Sequence, residues 1–230
     1  GHRSTGGYLA ASPDALRASQ LEFFTAHGME VEIEALRNAA GREHGAWYGG
    51  LPPLAQTSAG GERVHVAGRD WDIIETSGHC RGHLCLYDAQ DQILIAGDQV
   101  LPTISPNVSV LPSRPDANPL REFLESLARL EHCAPDTLVL PSHGRPFRGL
   151  HRRVDVLRSH HLQQLESLRK ACRDPQAAYG LLPVMFGRPL RGYHRFLALG
   201  ETVAHLNYLW HAGDLKRTVD DAGRIHFVAG

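Results

Sequence analysis

The 230-residue chain predicts a layered α/β sandwich followed by a small winged-helix-like appendage. Three observations carry that prediction. Short apolar runs with a period near two fill residues 62 to about 146. One segment with helical spacing, "NPLREFLESLARLEHC", interrupts them. From about residue 150 the pattern is helical until a closing strand, turn and strand, "TVDDAGRIHFVAG".

The elements follow in order. "SPDALRASQLEFFTAHG" offers Ser12 as N-cap, Pro13 at the first helical position, apolar residues at Leu16, Leu21, Phe23 and Phe24, and Gly28 as a stop. "MEVEIEALRNAAG" reads as a second helix, and the Gly- and Pro-rich "REHGAWYGGLPPLAQTSAGGE" as a long exposed connection. "RVHVAGRDWDIIETSG" is a hairpin with Val64, Val66, Trp71 and Ile73 on either side of Gly68-Arg69. "HLCLYD" and "QILIAGD" are short strands about a turn from Asp88 to Asp91. Leu120, Phe123, Leu127 and Leu130 define the inserted helix, and "DTLVLPSHG" is a buried strand leading into a loop. "HRRVDVLRSHHLQQLESLRKAC" continues as helix, and "GETVAHLNYLWHAGDLKR" is a helix closed by Gly213. This divides the chain into a main domain, residues 1–170, and a winged-helix-like domain, residues 171–230.

Composition narrows the function. With 24 Lys+Arg against 25 Asp+Glu, no overall field draws the chain to nucleic acid or to an anionic membrane. No apolar run approaches the roughly 18 residues of a membrane span, and Gly1-His2-Arg3-Ser4 begins no signal peptide. Cys80, Cys85, Cys133 and Cys172 form no Cys-x-x-Cys pair and are too scattered for a disulfide framework. A soluble, cytoplasmic protein is expected. Histidine is the outlier, at 15 residues, against about two or three per hundred in an ordinary domain.

Three residues with metal-ligand chemistry stand where strands end: His79 after "DIIETSG", Asp98 after "QILIAG", and His143 after "DTLVLPS". A neighbouring glycine lets the backbone turn sharply at each. Two imidazoles and a carboxylate suit zinc, iron or manganese, whereas calcium and magnesium prefer oxygen shells. Any one of these histidines taken alone is more often a hydrogen-bonded or exposed turn residue. Asp98 is the sharpest of the three, because a carboxylate ending a buried run is costly unless paired or metal-bound, though capping the turn into "QVLP" would also account for it. Other candidates are weaker. His160-His161 reads as the solvated face of a basic helix, Ser142 lacks a Gly-x-Ser-x-Gly elbow, and Cys80 beside His79 faces the opposite side of a strand.

In order, spacing and strand context, "SGHCRGHLCLYD", "LIAGDQVL" and "LPSHG" resemble the later motifs of the metallo-β-lactamase-fold hydrolases, in the branch that holds the glyoxalase II-like thioesterases. The resemblance implies an αββα sandwich with one or two metal ions at its edge, zinc first and iron or manganese otherwise. The matched ligands are His79, a bridging and catalytic Asp98, and His143. It further implies a structural His83, packing roles for Cys80 and Cys85, a substrate-facing loop at "QVLPTISPNVSVLP", and a winged-helix-like extension over residues 175–230. The implied reaction is attack of a metal-bound hydroxide on a thioester or small ester. RNA cleavage, and a metal-free pseudoenzyme or binding module, are the alternatives. A small ester or thioester is the expected partner, with no membrane. Nucleic acid is disfavoured because "ETVAHLNYLWHAG" has no Lys or Arg. A homodimer is left open.

One departure stands out, since no His-x-His-x-Asp-His run occurs in the sequence. Gly1-His2 before "RSTGGYL" aligns with the end of that run, making His2 either a remnant ligand or a scar of expression. The expectation is that N-terminal strands are missing and that this chain holds at most one metal, weakly, and hydrolyses thioesters poorly, its full-length parent being competent. Two tight metals would instead call on His2 with His44 or His65.

Overall fold

The computed structural model describes residues 13–29 and 57–230. The helix expected beyond Met29, most of the Gly- and Pro-rich connection, His2 and His44 lie outside the described residues. The described residues divide into two compact units, each discontinuous in sequence: residues 57–108 and 119–163 belong to the first, and residues 13–29, 109–118 and 164–230 to the second.

The first unit is built on a five-stranded sheet in the order β1-β2-β3-β4-β5, comprising β1 (Arg63–Val66), β2 (Arg69–Thr76), β3 (His83–Asp88), β4 (Ile93–Gly97) and β5 (Leu138–Pro141). The first four form an antiparallel meander, and β5 joins β4 in parallel. The hairpin pivots one residue earlier than the sequence suggests. Ala67 and Gly68 both take positive φ, at 54° and 75°, and Arg69 is already paired with Val66. A two-residue turn of this hand matches the twist of its flanking strands. Asp88 shapes the next turn by accepting from the backbone N–H groups of Gln90 (2.9 Å) and Asp91 (3.1 Å).

A parallel strand needs a crossover, and α2 (Pro119–Leu130) supplies it. Leu120, Phe123, Leu127 and Leu130 recur every three or four residues and are all fully buried. The sheet face that carries Thr76, Cys85, Leu94, Ala96 and Val139 is buried as well. Each large apolar side chain so placed contributes about 2 kcal/mol of burial energy. After β5 comes α3 (Leu150–Ala171), a 22-residue helix within which the division between the units falls. The solvated face expected at His160-His161 holds for His160 alone. His161 is fully buried, because it continues the stripe of Val154 and Leu157.

The second unit contains α1 (Pro13–Ala26), a 3-10 turn (Ala178–Leu181), α4 (Leu182–Phe186), α5 (Tyr193–Ala212) and an antiparallel ribbon of β6 (Leu215–Val219) and β7 (Ile225–Ala229). The helix α5 begins at Tyr193, ahead of the expected start at Gly200, and ends at Gly213 with φ of 83°. It buries Ala198, Leu199, Val203, Ala204, Leu206 and Leu209. Asn207 on the same helix donates to the carbonyls of Pro115 and Ala117 at 2.8 and 2.9 Å. Phe24 of α1 meets Phe196 with ring centroids 4.9 Å apart. No helix among the described residues is long and apolar enough to cross a membrane.

Candidate metal centre

Sheet topology brings the three strand-end residues together. β2 and β4 are each antiparallel to β3, and β5 is parallel to β4, so β2, β4 and β5 all run the same way. Their C-terminal ends share one edge of the sheet, and the chain leaves that edge at His79, Asp98 and His143. His79 Nε2 lies 3.5 Å from Asp98 Oδ2, and His143 Nε2 lies 3.5 Å from Asp98 Oδ1. His79 and Asp98 are partly exposed and His143 is mostly exposed, so the cluster stands open to solvent.

Close packing behind the edge sets its shape. Ser77 N donates to Ser126 Oγ on α2 at 2.8 Å, drawing the end of β2 onto that helix. At Gly78, φ is 109°, and a Cβ would sit 2.3 Å from Phe123 Cβ and 2.6 Å from its Cα. Only glycine fits between α2 and the turn that carries His79. Gly97 repeats the device before Asp98, with φ of 52° and a would-be Cβ 2.5 Å from His83 Nε2. His83 in turn lies against Thr76, its Nδ1 3.0 Å from Thr76 Oγ1. Burial, and then the neighbouring His79, hold its pKa below the ordinary imidazole value, with Asp98 opposing. This ring braces the Asp98 turn.

Hydrogen bonds orient the front. His79 Nδ1 is 2.9 Å from the Asn107 carbonyl, which can only accept. The proton therefore sits on Nδ1, and Nε2 faces the carboxylate. Ser142 is tied to the neighbouring strand end twice. Its N–H donates to the Gly97 carbonyl at 3.0 Å, and its hydroxyl donates to Asp98 Oδ1. The sequence shows Ser142 beside His143 but not beside Asp98. Parallel pairing of Gly97 with Pro141 makes them neighbours. Asn107 is likewise invisible in the sequence, since a main-chain carbonyl has no residue signature.

The cysteines divide. Cys85 is a packing residue, fully buried, and burial pushes its thiol up to about 12. Cys80 is exposed, so its expected packing role does not hold. It follows His79 in the turn rather than lying in a strand. Partial desolvation of its sulfur, and then the charge of Asp98, raise its pKa. His65 is engaged with Asp70 on the β1–β2 hairpin at 2.7 Å.

Chemically, the donors suit zinc in kind, being two imidazoles and one carboxylate. Their disposition is that of a bridge, because each Asp98 oxygen faces a different imidazole. The described residues thus offer two donors to each of two positions, whereas hydrolytic zinc usually takes three protein ligands. Accordingly, among the described residues no group of three or more His, Cys, Asp or Glu side chains is disposed around a single point. An open depression lined by Gly60, Ile74, Glu75, Arg129 and His132, among others, includes none of the three.

Comparison with known proteins adds an independent line. The sequence profile described as "Metallo-beta-lactamase superfamily" matches residues 17–143, and that described as "Metallo-beta-lactamase-like, C-terminal domain" matches residues 165–230. A hydroxyacylglutathione hydrolase from Cereibacter sphaeroides is 30% identical over 131 residues, which make up 55% of this chain and 49% of the relative. Among solved structures, a beta-lactamase domain protein from Burkholderia ambifaria is similar at 42% identity and a TM-score of 0.86, over 94% of this chain and 62% of that one. A metallo-beta-lactamase family protein from Thermus thermophilus follows at 29% and 0.76, over 95% and 66%. The chain thus spans about half the length of that hydrolase and about two thirds of the two crystallised chains.

Proposed function

The chain belongs to the metallo-beta-lactamase superfamily, and from that premise we propose that it is a metal-dependent hydrolase of a thioester or small ester, with His79, Asp98 and His143 as its zinc ligands. One observation carries the reading: Asp98 presents one oxygen to each of two imidazoles at an edge shared by three strand ends. When bound, zinc supplies the Lewis-acid chemistry of hydrolysis, acidifying water toward neutral pH and polarising a carbonyl. The chain's own residues do the rest. Asn107 holds the His79 proton on Nδ1, Ser142 fixes the plane of the Asp98 carboxylate, and the open edge admits substrate. The likeness to a hydroxyacylglutathione hydrolase favours a thioester. Four free cysteines agree with a reducing, cytoplasmic setting.

The test measures zinc affinity by competition with a chelating dye, then turnover of an acyl-glutathione with zinc in excess. With two donors per position, weak binding and slow, zinc-dependent thioester cleavage are expected. Asp98→Ala should lower both by more than about 100-fold, since loss of supporting contacts alone costs about 10- to 100-fold. Zinc binding unchanged in Asp98→Ala would overturn the site. Cleavage of a phosphodiester with none of the thioester would overturn the substrate class.

A further inference from the structure

A single irregular segment, residues 99–107, meets the His79 ring, follows directly on Asp98 and packs on the turn of His143. Its Pro102 packs on the turn of His143, where a Cβ built on Gly144 would meet Pro102 Cγ at 2.6 Å. At its far end the Asn107 carbonyl accepts from His79 Nδ1 at 2.9 Å. No strand or helix holds this stretch, so its position must come from somewhere else.

It comes from α3, through two polar grips. Arg153 Nε donates to the Leu101 carbonyl at 2.6 Å, and Arg153 Nη2 to the Ile104 carbonyl at 2.8 Å. The guanidinium is a rigid fork of donors, so it sets the spacing of both carbonyls at once. Two turns further along, about 12 Å by the helical rise, the fully buried His161 places Nε2 3.1 Å from Ser105 Oγ. The Ser105 hydroxyl also lies 3.2 Å from the Pro106 carbonyl. One hydrogen bond joins the His161 ring to this hydroxyl, which can both donate and accept. That ring stands edge-on to Phe123 at 5.3 Å, on the same α2 residue that closes over Gly78 beside His79.

We propose that Arg153 and His161 are positioning residues for the His79, Asp98 and His143 site, acting through residues 99–107. The α3 helix sets the loop, and the loop sets the His79 tautomer and the approach of the His143 turn. This rests on the metal-site reading above, so one readout is chosen that needs no metal.

The experiment compares the wild-type chain with Ser105→Ala, His161→Phe, His161→Gln, Arg153→Met and His79→Ala. Long-range proton–nitrogen NMR reports the His79 ring tautomer in zinc-free protein, and chelator competition reports zinc affinity. Ser105→Ala leaves the helix face intact, and His161→Phe keeps a buried ring, so each removes the hydrogen bond while retaining packing. Both should turn His79 from one tautomer into a mixture and weaken zinc about 10- to 100-fold. Arg153→Met should do the same, and His161→Gln, which keeps both a donor and an acceptor, should restore most of the affinity. A single unchanged His79 tautomer in Ser105→Ala and His161→Phe, with zinc affinity within about twofold of wild type, would overturn the proposal. Zinc affinity indifferent to His79→Ala would instead overturn the metal site, leaving the tautomer shift to judge the positioning role alone.

Discussion

The site edge of the first unit and the aromatic core of the second treat histidine in opposite ways. At the edge, His79 and His143 are partly or largely exposed, and each meets the same carboxylate. In the second unit His27 is 1% exposed. It is stacked on Phe227 with ring planes 9° apart and lies edge-on to Phe23 at 4.7 Å. Among the described residues its Nδ1 has no hydrogen-bond partner. Burial, and then Arg217, lower its pKa to about 4. A paired, accessible imidazole can offer a ring nitrogen to a metal. A buried one with an unpaired ring nitrogen serves as an aromatic plate and makes its unit sensitive to acid.

The largest expected effect breaks the edge from behind. Gly78→Ala forces a Cβ into the Phe123 backbone at a φ of 109°, combining overpacking with backbone strain at a cost of about 4 kcal/mol. Urea unfolding should show that loss, with zinc affinity falling in parallel. Wild-type stability in this variant would mean that the turn and α2 are not as tightly opposed as described.

A smaller effect probes the other side of the comparison. The folded-state pKa of His27 is depressed, so the unfolded chain takes up the proton first. The stability it contributes is present above the unfolded value of 6.5 and is lost as pH falls toward about 4. Between pH 7 and 4.5 the second unit should lose about 2.5 kcal/mol from this group. His27→Phe should flatten that dependence in urea titrations at the two pH values. An equally steep loss in the variant would place the acid sensitivity elsewhere.

The smallest effect sharpens the edge itself and changes no stability. Of the four thiols, Cys85 and Cys133 are raised to about 12 and Cys172 to about 11 by burial, whereas Cys80 is exposed. A maleimide at pH 8 should modify one thiol per native chain, and mass mapping should find it on Cys80. Excess zinc should slow that reaction, because the adjacent His79 would be engaged. Reaction at two or more thiols would show that the core opens more readily than its packing implies.

Much of this was legible in the order of residues. Period-two runs located β2, β3 and β4, and the spacing of Leu120, Phe123, Leu127 and Leu130 located α2, because both signals come from which side chains face a core a few residues apart. His79, Asp98 and His143 could be singled out as candidates because each follows a short apolar run and adjoins or nearly adjoins a glycine. Other features depend on partners distant in sequence. Ser142 meets Asp98 only because β5 pairs in parallel with β4, across 44 residues. The buried role of His161 depends on Ser105, 56 residues away, and the orientation of His79 on a carbonyl 28 residues away.

Residue order alone carries the α/β class, the strand ends with ligand-type residues, the glycines that let them turn, and the superfamily resemblance. Folding in three dimensions settles which Asp98 oxygen faces which imidazole, which ring nitrogen of His79 is left for a metal, that Cys80 is exposed, and that α3 grips the 99–107 segment. Turn chemistry and hydrophobic period act over a few residues and so leave a mark in composition. Approach across the sheet edge is set by strand direction, main-chain carbonyls and loop packing, and these contacts have no local spelling.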